Sequence, residues 1–425
     1  MNWNKQYALR SYLRSSMWLV PLAAYVVSLA LIRVLGRVDD WLDWSWNWVL
    51  EIPAAQSALE VFIAAMLSFI VFTFSSLLVA IQVASAQLTP RIIATTLLRD
   101  NTIRFVVALF VLTLAFNLGV LARTQMKIPY LLFTIAFVLS GASVAAFLYL
   151  IDYAARLLRP VSIVWRLGED GLSVLQDVYP VRIEGAHHPS PPMPRLGPAD
   201  REIAHQGKSA IVLAVDLDTV RKEAERTDGV IEFAHRVGDF VATDEPLFLM
   251  HGGAIAADDR LLRSAVAFGP ERTIEQDATF AFRVIVDIAV KALSSAINDP
   301  TTAVLSIDQL HRLLRAVGRR HLHDDIIRSA DGKTRVVFRT PNWEDFVALS
   351  CREIRLYGVS NFQVARRLRA MLENLLRTLP EARLPALREE LELLDQALDR
   401  LAMLPQDLAL ARTADLQGLG AALRT

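Results

Sequence analysis

The sequence predicts a membrane domain of four α-helical spans followed by a cytoplasmic α+β region, a small β-barrel or sandwich and then a helical bundle. Three observations predict it. The 425 residues are 53% hydrophobic with a mean hydropathy of +0.33, yet 21% are charged, too apolar for an ordinary soluble enzyme and too charged for a chain wholly within lipid. Four long apolar stretches lie ahead of Asp152, and from Lys208 onward the pattern turns first to short β-rich runs and then to helical stripes. The expected divisions are a four-helix domain over 1–160, a connecting helix and Pro-rich linker over 161–207, a small β-rich domain over 208–270, a mixed helical domain over 271–340 and a helical hairpin over 341–425. Lys+Arg and Asp+Glu balance at 45 each, leaving no basic excess for nucleic acid. The single cysteine, Cys351, excludes an internal disulfide and a cysteine-based zinc cage, and reads as a packing residue of a helix beginning near Trp343.

The first span is read in Met17 to Ile32, uncharged for sixteen residues behind Lys5, Arg10 and Arg14. A cleavable signal peptide starts in the same way, but three further apolar stretches favour a span. Val61 to Ala86 carries no charge over twenty-six residues, more than the ~20 needed to cross. Phe105 to Ala122 and Ile128 to Ile151 supply the third and fourth spans, joined by a tight turn. Lys and Arg near the span ends number nine on the side of the termini and four on the other, Arg33, Arg37, Arg123 and Lys127. This bias places both termini in the cytoplasm. Trp41, Trp44, Trp46 and Trp48 beside Asp39, Asp40 and Asp43 suit the headgroup boundary of the outer loop.

Within the second span Ser68, Ser75, Gln82 and Thr89 recur every seven residues, flanked by Ser76 and Ser85. Seven residues are nearly two turns, so one face stays polar for about 30 Å at ~1.5 Å per residue. Such a face avoids lipid. It is either hydrogen-bonding glue between packed helices or the lining of a pore built from several copies. No span carries a central Asp or Lys for a proton relay, and no repeat of broken helices suggests alternating access.

After the fourth span, 152–176 reads as an amphipathic helix continuing out of the membrane, and Pro189, Pro191, Pro192, Pro194 and Pro198 mark a linker. Strands are predicted at Ser209–Val215, Val230–Ala234, Phe240–Ala242 and Pro246–Met250, with turns at Asp228-Gly229, Gly238-Asp239 and Gly252-Gly253. The stretch from His235 to Leu249 looks like the turn-and-strand pattern of biotinyl-lipoyl domains, but no lysine lies between Lys222 and Lys291 to carry a swinging arm. In Asp277 to Leu293 the only charges after the first residue, Arg283, Asp287 and Lys291, step by four and share a helix face. This face calls for a partner acid, a phosphate or another subunit. Asn298-Asp299-Pro300 starts the next helix, with Asp299 as N-cap. That start is either architecture or an anion site at a helix N-terminus.

His321, His323 and Asp325 alternate as metal ligands do, but Arg319 and Arg320 beside them repel a cation, and a solvated helix end is the preferred account. No hydrolase, nucleotide-binding or metalloprotease motif is present, so no catalytic residue, metal or cofactor is expected. Farther on, Val364, Leu368, Met371, Leu375 and Leu379 form one stripe, and Leu384, Leu387, Leu391, Leu394, Leu398 and Leu401 a heptad seam after Pro380. An internal hairpin and an intermolecular coiled coil both fit. The tail after Leu404 has no clear period and is expected to lose order at its end.

The chain resembles the bacterial predicted membrane proteins of domain-of-unknown-function family 2254. The residues that carry the resemblance are Leu13 to Trp18, Gln82 to Arg91, Arg272-Thr273 with Gln276-Asp277, the run from Val286 to Ala303 (VDIAVKALSSAINDPTTA), and Glu353 to Gly358. It covers essentially the whole chain and implies an integral membrane protein with a cytoplasmic domain, without an established activity. The expected function is a homo-oligomeric ion channel or channel-like protein with a cytoplasmic gating or sensing domain. The alternative is a non-conducting scaffold or signalling protein binding a partner or an anionic ligand through Arg272, Gln276, Asp277, Arg283, Asp287, Lys291, Asn298 and Asp299. The expected partners are the lipid bilayer and further copies of the chain.

Overall fold

A computed structural model describes residues 3–42, 51–87, 100–125, 127–157, 159–183, 196–274, 276–322 and 325–420. The chain divides into two compact units, one built mainly from residues 12–162 and the other mainly from 163–425.

The first unit follows helix α1 (Trp3–Ser15) and consists of α2 (Leu19–Leu42), α3 (Ile52–Gln87), α4 (Asn101–Arg123) and α5 (Tyr130–Leu157). These four helices are long and apolar enough to cross a membrane by length and composition. The helices outrun the uncharged stretches. α2 continues past Ile32 through Arg33, Arg37 and Asp39, and α3 begins before Glu60. Charge sets where hydrocarbon ends, whereas helix continues wherever no residue breaks it. Trp41 is exposed at the end of α2, while Asp43, Trp44, Trp46 and Trp48 lie outside the described residues.

Leu59, Met66, Phe110, Phe116 and Leu132 are fully buried between these helices, and Phe69 stacks on Phe147 at 4.1 Å. Gly119 of α4 sits where a Cβ would lie 2.3 Å from Ile32 of α2, so the missing side chain sets how closely these parallel helices approach. Carboxylates close the ends. Asp100 caps α4 by accepting from Thr102 N at 2.9 Å and also accepts from the Tyr153 hydroxyl, and Asp39 accepts from Leu131 N at 2.8 Å.

The second unit opens with α6 (Pro160–Val178), a separate helix where a continuation of the fourth span is expected. Pro160 explains the break, because proline suits a first helical turn and disrupts an interior one. Then come β1 (Arg201–Ala204), β2 (Ala210–Val215), α7 (Leu217–Arg226), β3 (Gly229–Phe233), β4 (Phe240–Val241), β5 (Pro246–Gly252), α8 (Asp259–Ser264) and β6 (Val266–Gly269). Helices α9 (Ala278–Ala292) and α10 (Pro300–Gly318) precede β7 (Ile326–Arg328) and β8 (Thr334–Val337).

The strands form no closed barrel. They make two open sheets, ordered β1-β5-β3-β8-β7 and β4-β2-β6. β8 joins β3 in parallel, with Ile231 opposite Val336, and the other pairings are antiparallel. One core, including Val212, Ile231, Phe248 and Val266, is shared between the two sheets.

The chain ends in α11 (Trp343–Gly358), α12 (Phe362–Thr378), α13 (Leu384–Asp399) and α14 (Pro405–Ala411). Asn342 and Asp345 form a reciprocal capping box at the start of α11. Phe282 of α9 and Phe346 of α11 are buried with ring centroids 5.0 Å apart, and the indole of the buried Trp343 donates to Arg383 O at 2.8 Å. Leu387, Leu394 and Leu398 of α13 are fully buried within the chain, and α12 packs on α13. The tail after Leu404 is described as far as Gly420, and its last residues, 421–425, where loss of order is expected, lie outside the described residues. Asp415 gathers it by accepting from Gln417 N, Gly418 N and Gly420 N at 2.7–3.0 Å. A knot of backbone hydrogen bonds to one carboxylate leaves no hydrophobic period to read.

Candidate functional site

On α3 the stripe turns outward from its own helix bundle. Ser68, Ser75 and Gln82 are exposed, while Thr73 between them is buried and donates to Phe69 O at 2.7 Å. Ser68 returns its hydroxyl to Ala64 O at 2.8 Å, and half-buried Ser76 donates to Thr73 O at 3.0 Å. A serine can thus satisfy itself on a helix, whereas the amide of Gln82, with two N–H donors and an acceptor, cannot. Ser85 belongs to the last turn of α3 and Thr89 lies outside the described residues.

A second polar set, unread in the sequence, lies inside the bundle. Thr113 pairs with Ser143 at 2.9 Å and Asn117 donates to Ser140 at 3.1 Å, all four residues buried between α4 and α5. The i, i+4 spacing of Thr113 and Asn117 against Ser140 and Ser143 is the signal that would have found it.

In the second unit Asp277 is the most engaged of the candidate residues. It caps α9, accepting from Phe280 N at 3.1 Å and from the Thr279 hydroxyl, and Arg272 binds its other oxygen through Nε at 2.9 Å. Gly238, at φ +94°, lies against this pair, where a Cβ would come within 2.2 Å of the Arg272 guanidinium. The neighbouring Gln276 accepts from Val215 N at 3.3 Å.

Gln276 and Asp277 line a cleft of about 380 Å³ among the end of α6, the ends of β2 and β3, the start of α9 and the segment after β8. Its walls include the buried Val215, Phe233 and Phe338, with Tyr179 at the end of α6 also buried. Burial, and next the negative charges of Asp277 and Asp325, push the Tyr179 phenol well above its ordinary range, so it stays neutral. Asp177, His235 and Arg339 complete the polar lining. None of these three, nor Tyr179, is read as a site residue from the sequence, and only the fold brings them to Gln276 and Asp277.

The Arg283 stripe finds its partner acid within the chain. Arg283 binds both Asp287 on its own helix and Glu353 on α11, the latter also at 2.9 Å through a second nitrogen. Arg283 holds the Glu353 carboxyl below the usual glutamate range. Lys291 lies one turn farther along α9, half-buried. Asn298, at φ +48°, turns the chain between α9 and α10. Asp299 then caps α10, accepting from Thr302 N at 3.1 Å and from the Thr302 hydroxyl. A carboxylate already occupies this helix N-terminus, which is the architectural use of the motif.

Asp325 accepts from Thr340 N at 2.8 Å, and His323 lies outside the described residues. Among the described residues no group of three His, Cys, Asp or Glu side chains is placed to hold a metal ion. Cys351 is buried and its thiol is pushed far above the ordinary range by burial, which makes it a poor nucleophile.

The residues joined here come from separate parts of the chain. The family described as "Predicted membrane protein (DUF2254)" matches residues 14–374. The chain belongs to this family. The chain is also similar to "Uncharacterized protein Mb1321c" of Mycobacterium bovis and "Uncharacterized protein Rv1290c" of Mycobacterium tuberculosis. Each is 28% identical over 377 residues, covering 84% of this chain and 70% of the relative. No solved structure is significantly similar to this DUF2254 chain.

Proposed function

We propose that this membrane protein is a homo-oligomeric ion channel or channel-like protein of the bacterial inner membrane, with α3 of each copy facing an axial path. In this reading both termini and the second unit are cytoplasmic, as the nine-to-four distribution of Lys and Arg favours, and the second unit gates or senses. The observation that carries the reading is the exposure of Ser75 and Gln82 on the outer face of α3. A glutamine amide facing hydrocarbon is costly, so this face is better matched to neighbouring copies or to water.

The mass of the detergent-solubilised particle, by light scattering with the detergent subtracted, tests the assembly. Four or more copies are expected, and a monomer or dimer overturns the reading. In liposomes of the intact assembly, Gln82→Leu and Ser75→Leu are each expected to lower ion flux at least tenfold. Unchanged flux in both removes the stripe from the path.

The cleft of about 380 Å³ favours a second reading, a non-conducting scaffold or signalling protein whose second unit binds a partner or ligand. An anionic ligand has weaker support, because Arg272 and Arg283 are already engaged by carboxylates.

A further inference from the structure

We propose that the cleft bounded by Tyr179, Phe233 and Phe338 binds a small zwitterion with an apolar side chain, the chemistry of a free α-amino acid, held between Asp177 and Arg339. The proposal supplies a ligand for the sensing role suggested above and rests on that role for its purpose.

Size comes first. At about 380 Å³ the cleft lies at the small end of the ~300–1,000 Å³ range of ligand pockets. It is suited to a compact molecule. The walls come next, because Phe233 and Phe338, 3% and 8% exposed, line the cleft with apolar surface suited to an apolar group.

Charge decides the class. Asp177 and Arg339 both line the cleft and are exposed, and among the described residues neither forms an ion pair. The other lining carboxylate, Asp277, is committed to Arg272. A ligand carrying only an amine would cover Arg339 with nothing to offset its lost water, and a simple carboxylic acid would do the same to Asp177. A zwitterion answers both. Gln276 adds direction, since its side-chain oxygen is held by Val215 N and its amide N–H groups remain to donate to a carboxylate.

The test is equilibrium dialysis of full-length protein in detergent against three probes of one shape: L-phenylalanine, 2-phenylethylamine and 3-phenylpropanoate. L-Phenylalanine is expected to bind at least tenfold more tightly than either of the others. Asp177→Asn and Arg339→Gln should each weaken it about tenfold and, combined, erase its advantage. Val237→Trp, which fills the cleft from a half-buried position, should abolish binding of all three, with unfolding midpoint and particle mass confirming that the variant is folded. The proposal is overturned if L-phenylalanine does not bind, if either singly charged probe equals it, or if its binding survives in folded Val237→Trp. Because binding is read without ion flux, a failed cleft and a failed pore are distinguishable.

Discussion

In the middle of the α2–α5 bundle the buried polar side chains are neutral: Thr113 meets Ser143, Asn117 donates to Ser140, and Thr73 returns its hydroxyl to the backbone. Between the helices of the second unit ion pairs occur as well, the largely buried Arg355 against Glu390, the buried Arg369 against a half-buried Asp395, and the half-buried Arg283 shared by Asp287 and Glu353. The difference matches the apolar composition of the four long helices of the first unit. A charge at the centre of a bilayer costs about 2.5–3.5 kcal/mol even on the most lenient scale, whereas ions in a water-exposed domain are buried in pairs that leave little charge uncompensated. Charge in the first unit is accordingly kept to its ends, at Asp39 and Asp100.

The sharpest break in this comparison is Asp277→Ala, which removes a helix cap and leaves Arg272 without its carboxylate. A loss of about 3 kcal/mol is expected from those two effects together, read from denaturant unfolding of the second unit in the full chain. A loss under 1 kcal/mol would mean that solvent already screens the pair. Glu353→Gln comes next, at about 1 kcal/mol, because the pair with Arg283 is partly open to water. Its acid dependence is diagnostic. Arg283 lowers the folded carboxyl, so the folded state holds its proton less tightly than the unfolded state does. The stabilisation is therefore complete above the ordinary glutamate value of ~4.3 and disappears as pH falls through the lowered folded value. Glu353→Gln should flatten that part of the stability profile, and an unchanged profile would assign the acid sensitivity elsewhere. The smallest effect belongs to the first unit. Thr113→Val with Ser143→Ala is expected to cost about 0.6 kcal/mol, measured by detergent-induced unfolding in bicelles. Added salt should leave it unchanged while weakening the Glu353 pair.

The four apolar helices were readable because hydrophobic runs and their flanking charges need no tertiary information. The Asn298-Asp299-Pro300 cap was equally local. The sheets were only half readable: β2, β3, β4 and β5 carry alternation and turn residues, but β1, β6, β7 and β8 are three or four residues long and owe their state to partners elsewhere. The closed barrel failed for the same reason, since period-2 runs specify strands without specifying closure. At the candidate site, sequence reading reached Arg272, Gln276 and Asp277 through a family pattern and placed Arg283 on a charged face. It missed Asp177, Tyr179, His235 and Arg339: the pairing of β3 with β8 brings His235 and Arg339 to one end of the sheet, and Asp177 and Tyr179 reach the same cleft from the end of α6.

That pairing also imposes an order of events on synthesis. Between Phe233, the last residue of β3, and Thr334, the first of β8, lie 100 residues that include α9 and α10. At ~5–20 residues per second a ribosome needs about 5–20 s to deliver them. Throughout that interval the side of β3 away from β5 is a bare strand edge, able to pair with any other extended chain nearby. The nascent protein thus passes through a window of seconds in which its yield depends on chaperones and on the rate of translation.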